Sequence, residues 1–318
     1  MRQPITVALL MSFLLLLGCN GGGQSANTKA FLGGSQGIVI SFDVNAPPKN
    51  VFDGGDFPFD VAVKLQNKGE FSVPKDKAIV SVTGIMPQEF NVKESDLKKS
   101  PADDLIGRKT DNAGSPIEPG EVFVEFTGLN HMTFITGNAL DYPVRAEICY
   151  LYGTTAASSL CIRKNLGNPA ANGLCDIESA RPLSTSGAPV QVNSVKEYQR
   201  GRDSVGFTFT VQPVSSSTGK VYAMDSQCAN ERSVEDRVLV NVKTGIAGLT
   251  CQGLSGSSEG SVEGVVPIYD TSRVITCTQT IASPGDYEAP VAITLSYDYQ
   301  DYVETTLTVK HSGENTTS

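Results

Sequence analysis

The chain has 318 residues, 40% of them hydrophobic, which is enough for two domains that each bury a core. Its 31 glycines and 17 prolines suit many short strands joined by turns, and no segment keeps a helical period for more than about three turns. Asp and Glu outnumber Lys and Arg by 34 to 25, so nucleic acid is not expected among the partners.

A signal peptide with a lipobox is predicted at 1–18. Arg2 precedes an apolar run, 5–17, which at about 13 residues is too short to span the roughly 30 Å hydrocarbon core of a bilayer. The small residue Gly18 then precedes Cys19, whose thiol can carry a thioether-linked diacylglycerol. Because two acyl chains anchor a protein durably, Cys19 is predicted to hold the protein on a membrane outside the cytoplasm. The alternative is an uncleaved short anchor with an incidental cysteine.

The lipidated N-terminus is predicted to continue as a flexible tether over 19–34, which is rich in Asn, Gly, Gln and Ser. A first β-sandwich is predicted at 35–165, because apolar and polar residues alternate there with the period of a half-buried strand. Its strands are predicted at 37–44, 57–69, 78–83, 121–127 and 142–149.

A linker is predicted at 166–188, where Gly, Ala, Pro and Ser dominate and periodicity is lost. A second sandwich follows at 189–311, with strands at 189–192, 205–211, 237–242, 273–278, 290–299 and 302–310. The last two are expected to form a closing hairpin through Gln300 and Asp301, before a flexible tail, 312–318. The fold class is therefore all-β, with two tandem antiparallel immunoglobulin-like sandwiches; the alternative is one continuous unit.

Disulfides are expected because an even number of cysteines follows Cys19 in a chain with a signal peptide. They are Cys149, Cys161, Cys175, Cys228, Cys251 and Cys277. A hairpin between Cys149 and Cys161 would pair those two. Cys251 and Cys277 each end an alternating run and are predicted as the second pair, which leaves Cys175 with Cys228. A zinc site is not expected, since there is no CxxC motif and neither histidine lies near a cysteine.

Catalytic motifs are missing from the sequence. His131 is predicted in a surface loop and His311 in a frayed C-terminal end, where neither would act as a base. No Gly-x-Ser-x-Gly elbow or phosphate-binding loop occurs. We therefore expect no enzyme activity and no cofactor.

Two further patterns could bind small ligands. Asp53, Asp56 and Asp60 lie around two glycines and could hold calcium, although a turn with aspartates placed for hydrogen bonding is the favoured interpretation. The tyrosines Tyr150, Tyr152, Tyr297, Tyr299 and Tyr302 could line a sugar- or peptide-binding face, or pack in the core. Asn315 begins a glycosylation sequon, Asn-Thr-Thr.

The sequence of 57–70, Phe-Pro-Phe-Asp-Val-Ala-Val-Lys-Leu-Gln-Asn-Lys-Gly-Glu, resembles the second strand and turn of the immunoglobulin-like, cell-adhesion-related modules of bacterial and archaeal surface proteins. With the lipobox and the Cys-Tyr-Leu-Tyr strand at 149–152, the chain is similar in layout to uncharacterised lipid-anchored envelope proteins of archaea. The resemblance implies an immunoglobulin-like fold and a surface location, and it transfers no catalytic or ligand residue.

Three functions are compatible with these patterns. The first is a cell-surface lipoprotein with a structural, adhesive or protein-interaction role, whose partners are the membrane, through Cys19, and envelope or surface proteins. The second is a lipoprotein that binds a solute or a glycan. The third is an exported enzyme, which the scarcity of histidine and the missing motifs disfavour.

Overall fold

The computed structural model describes residues 30–163, 175–177, 180–201, 203–214, 218–269, 271–282 and 285–312. Throughout these residues the secondary structure is β, with two short 3-10 turns and no α-helix. The alternation of apolar and polar residues, which gives period-2 burial along most strands, accounts for this architecture. The all-β prediction is confirmed.

The described residues contain nineteen strands and the 3-10 turns η1 and η2. In chain order these are β1 Ile38–Phe42, β2 Asn50–Phe52, β3 Phe59–Asn67, η1 Lys75–Lys77, β4 Ala78–Thr83, η2 Glu94–Leu97, β5 Lys98–Lys99, β6 Lys109–Thr110, β7 Pro116–Ile117, β8 Glu121–Leu129, β9 Ala139–Ile162 and β10 Ser184–Thr185. They continue with β11 Val190–Gln199, β12 Ser204–Pro213, β13 Lys220–Tyr222, β14 Arg237–Lys243, β15 Leu249–Cys251, β16 Gly256–Ser258, β17 Ser261–Pro267, β18 Arg273–Thr280 and β19 Tyr287–Lys310.

The strands form one large sheet, two smaller sheets and the short pair β6–β7. In the large sheet, called the main sheet below, the order is β16-β17-β14-β19-β9-β4-β5, with β10 paired to β9 and with β13 and β2 paired to β19. The smaller sheets have the orders β1-β3-β8 and β11-β12-β18-β15. All pairings are antiparallel except that of β2 with β19.

The centre of the main sheet is a single antiparallel pair, in which all 24 residues of β19 lie opposite the 24 residues of β9. The closing hairpin predicted through Gln300 and Asp301 is therefore wrong. Both residues are paired within β19, opposite Cys149 and Ile148. Asp301 could favour a turn, but β9 is long enough to bond β19 along its whole length, so the chain continues as a strand through both residues.

The inner face of the main sheet carries a row of four buried tyrosines, Tyr150, Tyr152, Tyr297 and Tyr299, whose ring centroids lie 5.5 to 6.5 Å from their neighbours. Both smaller sheets bond to this row. The N–H of Ile38, in β1, donates to the hydroxyl of Tyr150 at 3.0 Å. The N–H of Val190, in β11, donates to the hydroxyl of Tyr297 at 3.2 Å. The row thus joins the inner faces of three sheets in one hydrophobic core.

The main sheet joins the two halves of the chain, because β4 and β9 precede the predicted linker whereas β14, β17 and β19 follow it. The residues predicted as two sandwiches, 35–165 and 189–311, thus both contribute strands to one sheet. Within the predicted linker, 166–188, the described residues are bonded to the body: β10 pairs with β9, and Arg181 is buried. The immunoglobulin-like topology itself stays a prediction.

Candidate functional site

The outer face of the main sheet, opposite the tyrosine row, carries the polar groups that form the candidate site. Because side chains alternate along a strand, the residues of β9 and β19 between the buried ones point to this face. They are Arg145, Glu147, Cys149 and Leu151 from β9, and Asp298, Gln300, Tyr302 and Glu304 from β19. The register places Tyr302 opposite Glu147 and Gln300 opposite Cys149.

A segment after β13, residues 223–236 and called the covering loop below, is attached to this face. A disulfide joins Cys228 of the loop to Cys149 of β9. The carboxylate of Asp298 accepts the N–H groups of Asp225, at 3.1 Å, and Gln227, at 2.7 Å. Burial raises the pKa of Asp298, and these hydrogen bonds oppose that rise.

An ion pair also joins the loop to the sheet edge beside β4, where Lys77 Nζ lies 2.8 Å from Asp225 Oδ1. Asp225, Gln227 and Cys228 all have positive φ, between 51° and 58°, a conformation that non-glycine residues seldom adopt. The disulfide, the Asp298 hydrogen bonds and the ion pair together hold the loop in this conformation.

Two cavities lie between the covering loop and the sheet. The first has a volume of about 290 Å³ and is lined by Ile79 and Leu151, with Lys77 and Asp225 among its polar groups. The second, called the polar cavity below, has a volume of about 360 Å³. Its walls are Arg145, Glu147, Thr218, Lys220, Tyr222, Cys228, Asn230, Gln300 and Tyr302.

The polar cavity contains a connected set of side chains. Glu147 accepts Arg145 Nη1 at 3.3 Å and Gln300 Nε2 at 3.5 Å. Tyr222 donates its hydroxyl to Gln300 Oε1 at 2.9 Å. The Arg145 guanidinium lies 4.1 Å from the centre of the Tyr302 ring and donates from Nε to Glu304 at 2.6 Å. The planar groups are therefore fixed before any ligand enters.

The six cysteines are all paired, but two of the predicted pairs are wrong. The bonds are Cys149–Cys228, Cys161–Cys175 and Cys251–Cys277, of which the last confirms the prediction. Cys149 and Cys161 cannot bond because both lie in the single strand β9, about 40 Å apart at the rise of an extended chain. The predicted partner of Cys175, Cys228, is instead held by Cys149 through the covering loop.

The predicted calcium ligands are not brought together. Asp53 is buried, and its carboxylate accepts the N–H groups of Ile135, at 2.9 Å, and Ser312, at 2.7 Å. Asp60 accepts the N–H of Gly128, and Asp56 is exposed. Among the described residues, no three or more His, Cys, Asp or Glu side chains form a group that could hold a metal. These contacts join residues at least 68 positions apart, so they are not the local turn hydrogen bonds of the alternative interpretation either.

Both histidines differ from their predicted settings. His131, expected on the surface, is 2% exposed, packs edge-on against Phe90 and lies 3.2 Å from the Tyr142 hydroxyl. His311, expected in a frayed end, contacts Asp53 Oδ2 through Nδ1 at 2.8 Å. Phe90 precedes His131 by 41 residues and Asp53 precedes His311 by 258, so local composition gave no sign of these two contacts.

The tyrosines divide between core and surface. Tyr150, Tyr152, Tyr297 and Tyr299 form the buried row, as the core alternative predicted, whereas Tyr302 lies in the polar cavity. Sequence reasoning missed Arg145, Glu147 and Gln300. The polar side chains at alternate positions of β9 and β19 were the available signal. Cys19 and Asn315 lie outside the described residues.

Within the same described ranges, no helix has the length and apolar character needed to cross a bilayer. No protein-family model matches the chain, and no curated protein matches it.

Weak similarity to viral structures is found. A structure of the infectious bursal disease virus Gx strain is 10% identical over 76% of this chain and 75% of its own, with a TM-score of 0.15. The VP2 subviral particle of that virus is 8% identical over 80% of each chain, with a TM-score of 0.13. A triple jelly roll of an archaeal virus turret assembly is 11% identical over 87% and 92%, with a TM-score of 0.09. TM-scores this low do not establish a common fold, and nothing about function follows from them.

Proposed function

We propose that this chain is an extracytoplasmic surface lipoprotein, anchored through Cys19, whose β-body has a structural or adhesive role in the cell envelope. The observation that carries the proposal is the set of three disulfides. Such bonds persist in oxidising compartments and are rare in the cytoplasm. They support an extracytoplasmic site, and the lipobox supports the anchor.

The attachment of the N-terminal segment to the body also fits a tethered protein. The carboxylate of Glu70 accepts the N–H groups of Leu32 and Gly33, both at 2.9 Å, and of Gly187 at 2.6 Å. Hydrogen bonds to a charged group are stronger than neutral ones. Leu32 and Gly33 belong to the predicted tether, 19–34, and Gly187 belongs to the predicted linker, so the prediction of a flexible tether is wrong at this end. A pull on the anchor would therefore load the main body directly at these residues.

Anchoring is tested by metabolic labelling with an alkyne-bearing fatty acid in a host that processes lipoproteins. We expect the wild type and a Gln24→Ala control to be labelled and to stay with the membrane fraction, while Cys19→Ala is unlabelled. Equal labelling of Cys19→Ala would contradict lipidation of Cys19.

The surface role is tested by proximity labelling on intact cells with an enzyme fused to the C-terminus. For a structural or adhesive component we expect the same neighbouring proteins to be labelled in repeated experiments. These neighbours should remain after the proteins labelled by an unrelated surface protein are subtracted. A neighbour set identical to that of an unrelated lipoprotein of the same abundance would contradict this role.

A further inference from the structure

We propose that the polar cavity binds a neutral saccharide unit, which makes a glycan the ligand of the protein. The inference deepens the proposed surface role and rests on it for the source of the ligand, an envelope or cell-surface glycan. It is carried by the juxtaposition of an aromatic ring with planar hydrogen-bonding groups in a preformed recess between the covering loop and the main sheet.

The size and rigidity of the recess suit a small ligand. Its volume of about 360 Å³ lies within the ~300–1,000 Å³ of typical ligand pockets. One wall belongs to the central pair β9 and β19, and the other is held by the Cys149–Cys228 disulfide. A ligand would therefore meet groups that are already oriented, which reduces the ordering cost of binding.

The chemistry of the walls matches pyranose rings. Sugars present adjacent hydroxyls that a carboxylate, a carboxamide or a guanidinium can bridge with two hydrogen bonds, because each has two polar atoms in one plane. Glu147, Gln300 and Arg145 supply one of each and hold one another in place. The Arg145 guanidinium covers one face of the Tyr302 ring, and the other face would contact the C–H side of a sugar.

Two groups at the rim remain available to a ligand. Lys220 forms no ion pair with a described residue, and the side chain of Asn230 has no hydrogen-bond partner among the described residues. Both are exposed and line the same cavity. They can donate to sugar oxygens without giving up a contact that the folded chain needs.

The charge balance favours a neutral ligand. Arg145 is paired with both Glu147 and Glu304, so its positive charge is compensated within the protein. The formal charges of these three residues and Lys220 sum to zero. An anionic sugar would compete with Glu147 for Arg145, whereas hydroxyl groups can join the existing network.

The test uses the full chain in detergent on an array of immobilised oligosaccharides that carry neutral, uronate or phosphate-bearing sugars, followed by calorimetric titration of the best neutral one. We expect binding of neutral sugars, weakened about tenfold or more in Tyr302→Ala. Asn230→Ala, at an exposed position that should not affect folding, is expected to weaken it severalfold. Tyr269→Ala, an exposed tyrosine away from the cavity, serves as the control.

Several results would overturn the inference: no binding of any neutral oligosaccharide, a preference for anionic sugars, or equal affinity in wild type, Tyr302→Ala and Asn230→Ala. Circular dichroism confirms that the variants compared are folded. Because the array measures binding by the purified chain, it is independent of lipid labelling. If the chain binds a glycan but carries no lipid, the anchor is refuted and the saccharide site stands. If the chain carries lipid but binds no glycan, the saccharide site is refuted and the anchor stands.

Discussion

Glu197 is a buried acid beside one of the disulfides. Its carboxylate accepts the N–H of Cys161 at 2.9 Å and lies 3.4 Å from Arg181 Nε. Burial raises the pKa of Glu197 to about 7, against the hydrogen bond from Cys161 and the charge of Arg181. The side chains of Glu197 and Arg181 are almost fully excluded from solvent, so burying them has a desolvation cost. Their mutual contact and the second ion pair of Arg181, with Glu288, only partly offset it.

The raised pKa makes stability depend on pH in a defined direction. In the unfolded chain Glu197 titrates near 4.5, and in the folded protein near 7. Between these values the folded state binds more protons at Glu197, so the contribution of this residue to the free energy of unfolding falls as pH rises from about 4.5 to 7 and is constant above.

Replacing Glu197 by Gln should remove this contribution. We expect the stability difference between wild type and Glu197→Gln, measured by urea unfolding, to change between pH 5 and pH 8, with the wild type losing relative stability at pH 8. Glu259→Gln, at an exposed position that does not contribute to the pKa shift of Glu197, is the control and should keep the wild-type pH dependence. A pH-independent difference for Glu197→Gln would contradict the prediction.

Asp53 behaves in the opposite way. Burial alone would raise its pKa, but hydrogen bonds from Ser312, His311 and Ile135 together outweigh that effect and hold the pKa well below the ordinary value. Its stabilising contribution is therefore present above about pH 4, where the unfolded chain is already ionised, and is lost as pH falls below that.

Asp53→Asn should destabilise the protein by about 2–3 kcal/mol at neutral pH, because an amide cannot accept at both of its polar atoms from three partners. The matched control is Asp56→Asn, three residues away and exposed, which should change stability by less than about 0.5 kcal/mol. Thermal or urea unfolding measures both. Equal stability of the two variants would show that the bonds to Asp53 contribute nothing net.

At the scale of elements, the three disulfides close loops of very different length. The paired cysteines are 14, 26 and 79 residues apart for Cys161–Cys175, Cys251–Cys277 and Cys149–Cys228. In the chain-entropy account, closing a longer loop removes more freedom from the unfolded chain. The order of stabilisation should follow the order of these separations.

We expect loss of stability to grow from about 3 kcal/mol when both Cys161 and Cys175 are replaced by Ser to about 4.5 kcal/mol for Cys149 and Cys228. Denaturant unfolding of the double variants gives the order. Replacing Cys149 and Cys228 should also speed hydrogen exchange at the Gln227 backbone amide, because the covering loop loses its covalent attachment. A reversed order of stabilities would mean that local strain or denatured-state structure dominates.

Short strands were predictable because alternation alone defines them. The prediction of 78–83 coincides with β4, and 121–127 lies inside β8. The two longest strands, β9 and β19, were not predicted at their full length. The segment between Cys149 and Cys161 was interpreted as one hairpin, and the segment between Tyr297 and Val309 as another. Local sequence does not reveal that a distant partner extends a strand through its whole length. The polar cavity was missed for the same reason, because its residues meet only when β9 pairs with β19.

At the scale of the whole molecule, the central pair β9–β19 decides how the chain behaves as a unit. A domain that ended near residue 165 would leave one edge of β9 without the 24 residues of β19 that pair with it. Its inner face would also lose Tyr297 and Tyr299 from the tyrosine row. Such an edge is an aggregation hazard, so the halves should fold together.

Equilibrium unfolding distinguishes this cooperative unit from two independent sandwiches. We expect one transition for the full chain, with far-ultraviolet circular dichroism and tyrosine fluorescence coincident. The decisive variant is Cys149→Ser with Cys228→Ser, which keeps the shared sheet but removes the disulfide that joins the halves. If the β9–β19 pair and the tyrosine row couple the halves, this variant also unfolds in a single transition, at lower denaturant. Two separated transitions in it would mean that the disulfide, and not the shared sheet, makes the halves act as one.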